Sequence, residues 1–155
     1  MRSAASEIDV HNVNEQEEMK VLLNRHKTMA VVGCSRDPRK PANYVPKYMK
    51  EHGYRIVPVN PNASEILGEK SYPSLLKIPD PFAKQIEIVN VFRPSEETVE
   101  IVKQAIDLKV RLGKLRGVWL QEGIANKEAA ELARKYGLMV VMDKCIMVEH
   151  RKMWG

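Results

Sequence analysis

The run Gly33-Cys-Ser-Arg-Asp-Pro-Arg-Lys40 gathers a glycine, a hydroxyl and three cations. Glycine permits close backbone approach, Ser35 can donate, and Arg36, Arg39 and Lys40 can neutralise an anion just ahead of a helix start. These are phosphate-binding ingredients, although the same residues also make an ordinary solvated loop. A dinucleotide loop would have three glycines spaced G-x-G-x-x-G, and only Gly33 is present. Asn60 and Pro61 follow the next apolar run, so no carboxylate stands where a nicotinamide dinucleotide's adenosine ribose would be gripped. Cys34 is the one residue of the loop with nucleophilic potential, because nearby cations and a helix amino terminus lower a thiol pKa. Its other reading is a small packing residue, as for Cys145. The histidines, His11, His26, His52 and His150, fall in a tail, on two helix faces and near the terminus. None adjoins the loop in sequence, and no catalytic set or metal site is expected.

Position in the chain favours the phosphate reading. Asn14 with Glu17 reads as a capping box for a helix carrying Met19, Leu22, Leu23 and His26 on one face. Met29 to Gly33 is a short apolar run ended by glycine, as expected of a strand buried on both faces. Asn43 is expected to cap the following helix, with Pro46 in its first turn and Val45, Tyr48, Met49 and His52 as its buried stripe. Strands follow at 55–59 and 87–92, separated by a loop-rich connection with a helical turn near Ser74. Pro94 opens a long helix through Leu112 with Val99, Val102, Ile106 and Val110 on one side. A strand at 117–121, a helix over 126–136 and a strand at 138–142 complete the pattern. The alternation predicts an α/β fold: a doubly wound parallel sheet (Rossmann-like) of about five strands, with helices on both faces. Ligands of such sheets bind outside the carboxyl ends of the strands, where strand order reverses. The loops 33–40, 60–64, 93–95 and 121–124 are therefore expected to form the site.

The 155 residues suit one domain, divided here into a flexible segment at 1–13 and a single domain at 14–155. A net charge of +5 attracts anions, but no run of Lys and Arg exceeds two, and there are only two Phe and two Trp. That composition argues against nucleic acid as a partner. Two cysteines without a CxxC pair, and no stretch long enough to cross a membrane, point to the cytoplasm.

Five ordered segments carry a resemblance: Val31-Val-Gly-Cys-Ser-Arg36 with Lys40, Val57-Pro-Val-Asn-Pro61, Val89-Asn-Val-Phe-Arg-Pro94, Val118-Trp-Leu-Gln-Glu-Gly-Ile124 and Asp143-Lys-Cys145. Over about residues 15 to 150 the chain resembles the single-domain CoA-binding proteins, which are similar to the CoA-binding domain of succinyl-CoA synthetase and acyl-CoA synthetases. The resemblance implies that Gly33, Cys34, Ser35, Arg36 and Lys40 form the phosphate loop, with Val59, Asn60 and Pro61 along the adenine and ribose. It implies Phe92, Arg93 and Pro94 as the other adenine wall, and Trp119 with Gln121 along the pantetheine path; core packing is the alternative for Trp119. The ligand implied is coenzyme A or an acyl-CoA. In the synthetases a separate domain supplies a phosphorylated histidine and another activates the acid, and this chain has room for neither. The expectation is a binding protein without a complete active site: a carrier, a sensor or a subunit that needs a protein partner. A small NAD(P)-dependent oxidoreductase is the alternative.

Overall fold

The computed structural model describes the backbone of residues 4–154 and the side chains of 15–154. Its strands, in chain order, are β1 (Thr28–Val32), β2 (Arg55–Val59), the two-residue pair β3 (Glu65–Ile66) and β4 (Glu69–Lys70), β5 (Ile88–Val91), β6 (Gly117–Leu120) and β7 (Met139–Val141). β3 and β4 form an antiparallel hairpin, and the other five make one parallel sheet in the order β2-β1-β5-β6-β7. The chain steps outward from β1 to β2 and then crosses back to β5, so strand order reverses between β1 and β5. The helices are α1 (Ala4–Arg25), α2 (Pro41–Glu51), α3 (Asp80–Ala83), α4 (Thr98–Leu112), α5 (Lys127–Lys135) and α6 (Ile146–Trp154). This is the doubly wound α/β fold expected.

Alternation along the strands builds two cores. Met29, Val31, Ile88, Trp119 and Val141 point to the face covered by α1, α2 and α6. Ala30, Val89, Val91, Val118, Leu120 and Val140 point to the face covered by α3, α4 and α5. α1 seats closely because β6 begins with glycine: a Cβ at Gly117 would lie 2.7 Å from Leu22 Cδ2 and 3.2 Å from the Met139 carbonyl oxygen.

Several local expectations are corrected. α1 is continuous from Ala4, so Asn14 lies within it and not at its cap. Of residues 1–13, expected to be a flexible segment, 4–13 lie within α1 and 1–3 lie outside the described residues. α2 begins at Pro41, whose fixed φ suits a first helical position. Asn43 is therefore inside the helix, buried, and its amide donates to the Ser35 carbonyl oxygen at 2.7 Å. His52 is exposed and stacks on Tyr48, with ring centroids 3.9 Å apart. In α4 a 3-10 turn at Ser95–Glu97 precedes the helix, and Thr98, Ile101, Val102, Ala105 and Leu108 are buried while Val110 is 70% exposed. Apolar residues wrap around more than one side of this helix, so its valines alone do not mark the buried face. The β3–β4 hairpin, α3 and α6 were not anticipated. Asn126 does cap α5, its side chain accepting from Ala129 N at 3.0 Å.

Three histidines lie toward the amino-terminal edge of the sheet, away from the switch point. His26 Nδ1 is 2.7 Å from Glu87 Oε2. His150 of α6 meets the Tyr48 hydroxyl at 2.8 Å and packs against His52, Tyr54 and Trp154, with Lys27 close by. Burial first, then the charges of His52 and Lys27, hold its pKa below the ordinary histidine value. Its own helix contributes Glu149 and Arg151 as charged neighbours in sequence.

Two outcomes are expected. Gly117→Val should lower unfolding stability by about 1–3 kcal/mol in urea titrations, and Leu22→Ala in the same chain should recover part of that loss. For His150, the unfolded chain takes up the proton first. Its contribution is therefore full above about pH 6.5 and declines as pH falls through that value toward the lowered one. Urea midpoints at about pH 7.5 and about pH 5.5 should differ less for His150→Gln than for the unmodified chain; an unchanged difference would remove His150 from the pH response.

Candidate functional site

The carboxyl ends of β1, β2 and β5 meet at Gly33. Its φ is +86°, and a Cβ there would stand 2.7 Å from the Phe92 carbonyl oxygen and 2.9 Å from Arg93 Cδ. Gly33 N donates to the Val59 carbonyl oxygen at 3.0 Å, and Phe92 N to that of Val32 at 2.8 Å. The three strand ends thus lock together, with the Phe92–Arg93 step as a ridge over the switch point.

The loop from Gly33 to Lys40 is held by side chains of its neighbours. Asn60 Nδ2 donates to the Cys34 carbonyl oxygen at 2.8 Å, opposite the Asn43 contact to Ser35. Ser35 Oγ accepts from Asp37 N at 3.0 Å, leaving its O–H to donate outward. Arg39 is taken by Asp37 through two contacts of 3.0 and 2.9 Å, and this guanidinium holds the Asp37 carboxyl below its ordinary value. The loop therefore offers two cations rather than three. Arg36 and Lys40 are exposed and neither has a salt-bridge partner among the described residues. They stand where α2 starts with no side-chain cap and no acidic residue in its first turn. An uncapped helix start with free cations favours an anion.

Two clefts flank the ridge. The first, about 370 Å³, is lined by Gly33, Val59, Asn60, Pro61 and Arg93, together with Pro73, Ser74, Leu75, Glu97, Ile101 and Gln104. Arg93 spans toward Glu97 at 2.8 Å, an exposed pair that a ligand can displace at little cost. The second, about 420 Å³, lies between α2 and α6 and is lined by Lys40, Phe92 and Gln121 with Tyr44, Val45, Ile124, Cys145, Met147 and Val148. Gln121 is buried at its base, its Nε2 donating to Asn90 Oδ1 at 2.6 Å and its Oε1 accepting from Ile146 N at 3.2 Å.

The structure brings together most of the residues singled out in the sequence, and moves some away. Gly33, Val59, Asn60, Pro61 and Arg93 share one cleft; Lys40, Phe92 and Gln121 share the other. Pro94 lines neither: it is exposed and its carbonyl oxygen accepts from Glu97 N as the 3-10 turn begins. Trp119 is fully buried in the core, its indole N–H donating to the Lys144 carbonyl oxygen at 2.8 Å, so it lines no path open to a ligand. The walls from α6 and from Pro73–Leu75 were missed. The spacing of Ile146, His150 and Met153 carried a helical signal for α6.

Residues 27–151 match the family described as the CoA binding domain. The chain is 39% identical over 133 residues to the uncharacterized protein YneT of Bacillus subtilis, covering 86% of this chain and 92% of that one. It is 30% identical over 121 residues to the ADP-forming acetate–CoA ligase II of Archaeoglobus fulgidus, covering 74% of this chain and 17% of the ligase. A solved structure of a hypothetical protein from Pyrococcus horikoshii superposes with a TM-score of 0.80 at 41% identity, covering 90% of this chain and 92% of that one.

The two thiols differ in a way the loop sequence did not convey. Cys34 is fully buried, and burial pushes its thiol up to about 12, so of its two readings the small packing residue is the one that fits. Cys145 is half-buried on the wall of the second cleft. Iodoacetamide should therefore modify Cys145 and spare Cys34 in the folded protein, as peptide mass mapping would read. Comparable labelling of both would contradict this packing.

Proposed function

The chain belongs to the CoA binding domain family, and from that premise we propose that it binds coenzyme A or an acyl-CoA at the carboxyl ends of the strands. The observation that carries the reading is the pair of cations Arg36 and Lys40, without a salt-bridge partner among the described residues, in the loop that leads into α2, with Lys40 on the wall of the second cleft. Coenzyme A is a polyanion with a flat base at one end and a thiol that carries acyl groups at the other. On this reading Gly33 lets the phosphates approach the backbone closely, Ser35 offers its hydroxyl, and Arg36 and Lys40 supply two charges. Val59, Asn60 and Pro61 lie along the adenine and ribose, with Arg93 released from Glu97 to meet the ligand. Phe92 and Gln121 border the arm that leads toward the thiol. Cys34 contributes its backbone and not its thiol.

The role we propose is that of a cytoplasmic carrier, sensor or subunit that a partner completes, without a full active site in residues 14–155. The ligase similarity supports this division of labour, because it covers only 17% of that enzyme. His26, His52 and His150 lie toward the other edge of the sheet, where they pair with Glu87 or pack among aromatic rings.

Titration calorimetry with coenzyme A, 3′-dephospho-CoA, ADP and NAD tests the proposal. Coenzyme A should bind, dephospho-CoA more weakly, and NAD negligibly. Replacing Arg36 and Lys40 together by alanine should weaken coenzyme A binding by on the order of 2 to 4 kcal/mol with the thermal transition retained. Unchanged affinity in that variant would remove the phosphate assignment; binding of NAD in preference would move the oxidoreductase reading forward.

A further inference from the structure

We infer that the cleft between α2 and α6 is a hydrocarbon site that takes the acyl group of a coenzyme A thioester. The inference rests on the coenzyme A reading and specifies the form of ligand the protein prefers.

The two clefts on either side of the ridge differ in chemistry. The smaller presents Asn60, Ser74, Arg93, Glu97 and Gln104, a polar set suited to a base, a sugar and phosphate. The larger, about 420 Å³, presents Val45, Phe92, Ile124, Met147 and Val148, with its charged residues, Lys40 and Glu122, both exposed. Its buried polar residue, Gln121, has both ends of its amide engaged, by Asn90 and by the first backbone N–H of α6. Beyond Gln121, where the arm would pass, the wall of Val45, Ile124, Met147 and Val148 is hydrocarbon, which an acyl chain covers without stripping any hydrogen bond. Lys40 stands at the edge of the same cleft, so its apolar wall is continuous with the cationic start of α2.

Size and exposure agree. The volume falls within the range of small-molecule sites, which are mostly apolar with few polar groups. Tyr44 and Val148 are 42% and 40% exposed at its margin, apolar surface that an acyl chain would remove from water. A free thiol would leave that surface wet. Cys145, on the same wall, serves as a built-in reporter of occupancy.

The test is calorimetry with coenzyme A and its acetyl, butyryl, hexanoyl and octanoyl thioesters on the intact chain. Affinity should rise by about two- to fourfold for each added methylene until the cleft is full, and then level off. Val148→Asp, at the exposed margin, should flatten that rise whichever way the affinity for free coenzyme A moves. Hexanoyl-CoA should also slow iodoacetamide modification of Cys145 more than coenzyme A does at equal saturation. If coenzyme A binds and its thioesters bind no better, the acyl site is overturned and the coenzyme A reading stands. Failure of every ligand in the series to bind overturns both. A chain-length dependence unaltered in Val148→Asp would show that the acyl group lies elsewhere.

Discussion

Gly33 has no side chain because there is no space for one. Its Cα faces the Phe92 carbonyl oxygen and the Arg93 side chain at distances that a Cβ could not share, and its positive φ would strain any other residue. Everything at the carboxyl edge follows from that approach. With the ends of β1 and β5 this close, the loop from Gly33 to Lys40 must leave over the top of the sheet. The two residues that follow β5 must then diverge. Successive strand side chains point to opposite faces, so Phe92 enters the cleft beside α2 and Arg93 the cleft beside α4. One close contact thus divides the edge into an apolar and a polar half.

The apolar half depends on where α6 begins, and buried polar groups decide this. Burying amides is unfavourable unless they are paired. Here Asn90 and Gln121 bond each other, and Gln121 caps the first N–H of α6 from the core, in place of a serine or aspartate cap on the helix itself. Trp119 holds the Lys144 carbonyl oxygen one residue before Cys145. Asp143, at φ 56°, accepts from Gly123 N and so ties the loop after β7 to the loop after β6. Among the described residues no buried side-chain N or O lacks a partner. Trp119 and Gln121 thus shape the cleft from behind; Trp119 is never exposed to it.

The sheet was legible in the sequence because five apolar runs, each a few residues long, alternate with segments of helical period. Such runs have few alternative arrangements. That the loop from Gly33 to Lys40, Asn60, Pro61 and Arg93 gather at one edge was legible from the rule that ligands sit at carboxyl ends, and Val59 was added by the resemblance. What was not legible depended on which of several partners a group chooses. Asp37 could have paired with Arg36, Arg39 or Lys40, and only the folded loop shows that it takes Arg39. Cys34 stands beside cations in sequence yet points into the core. Asn43 suits a cap, but Pro41 suits a first helical position better, and the amide is then free to brace Ser35. The hairpin of two-residue strands and the four-residue α3 are too short for any period to register.

The choice made by Asp37 has an electrostatic consequence. A carboxylate within a cationic loop would cancel the field that draws an anion if it lay midway among the charges. Instead it accepts from Arg39 N and pairs with the Arg39 guanidinium, so its charge is met on the side chain that the site can spare. Glu97 does the same for Arg93, but at an exposed i,i+4 contact that is weak and easily exchanged. The edge therefore holds two cations without a salt-bridge partner among the described residues and a third that a stronger acceptor can release. Free cations in water cost little while no ligand is present. A multiply charged anion meeting them at a helix start gains from several donors at once, beside a wall that is largely hydrocarbon and carries Glu122 as its one acidic side chain.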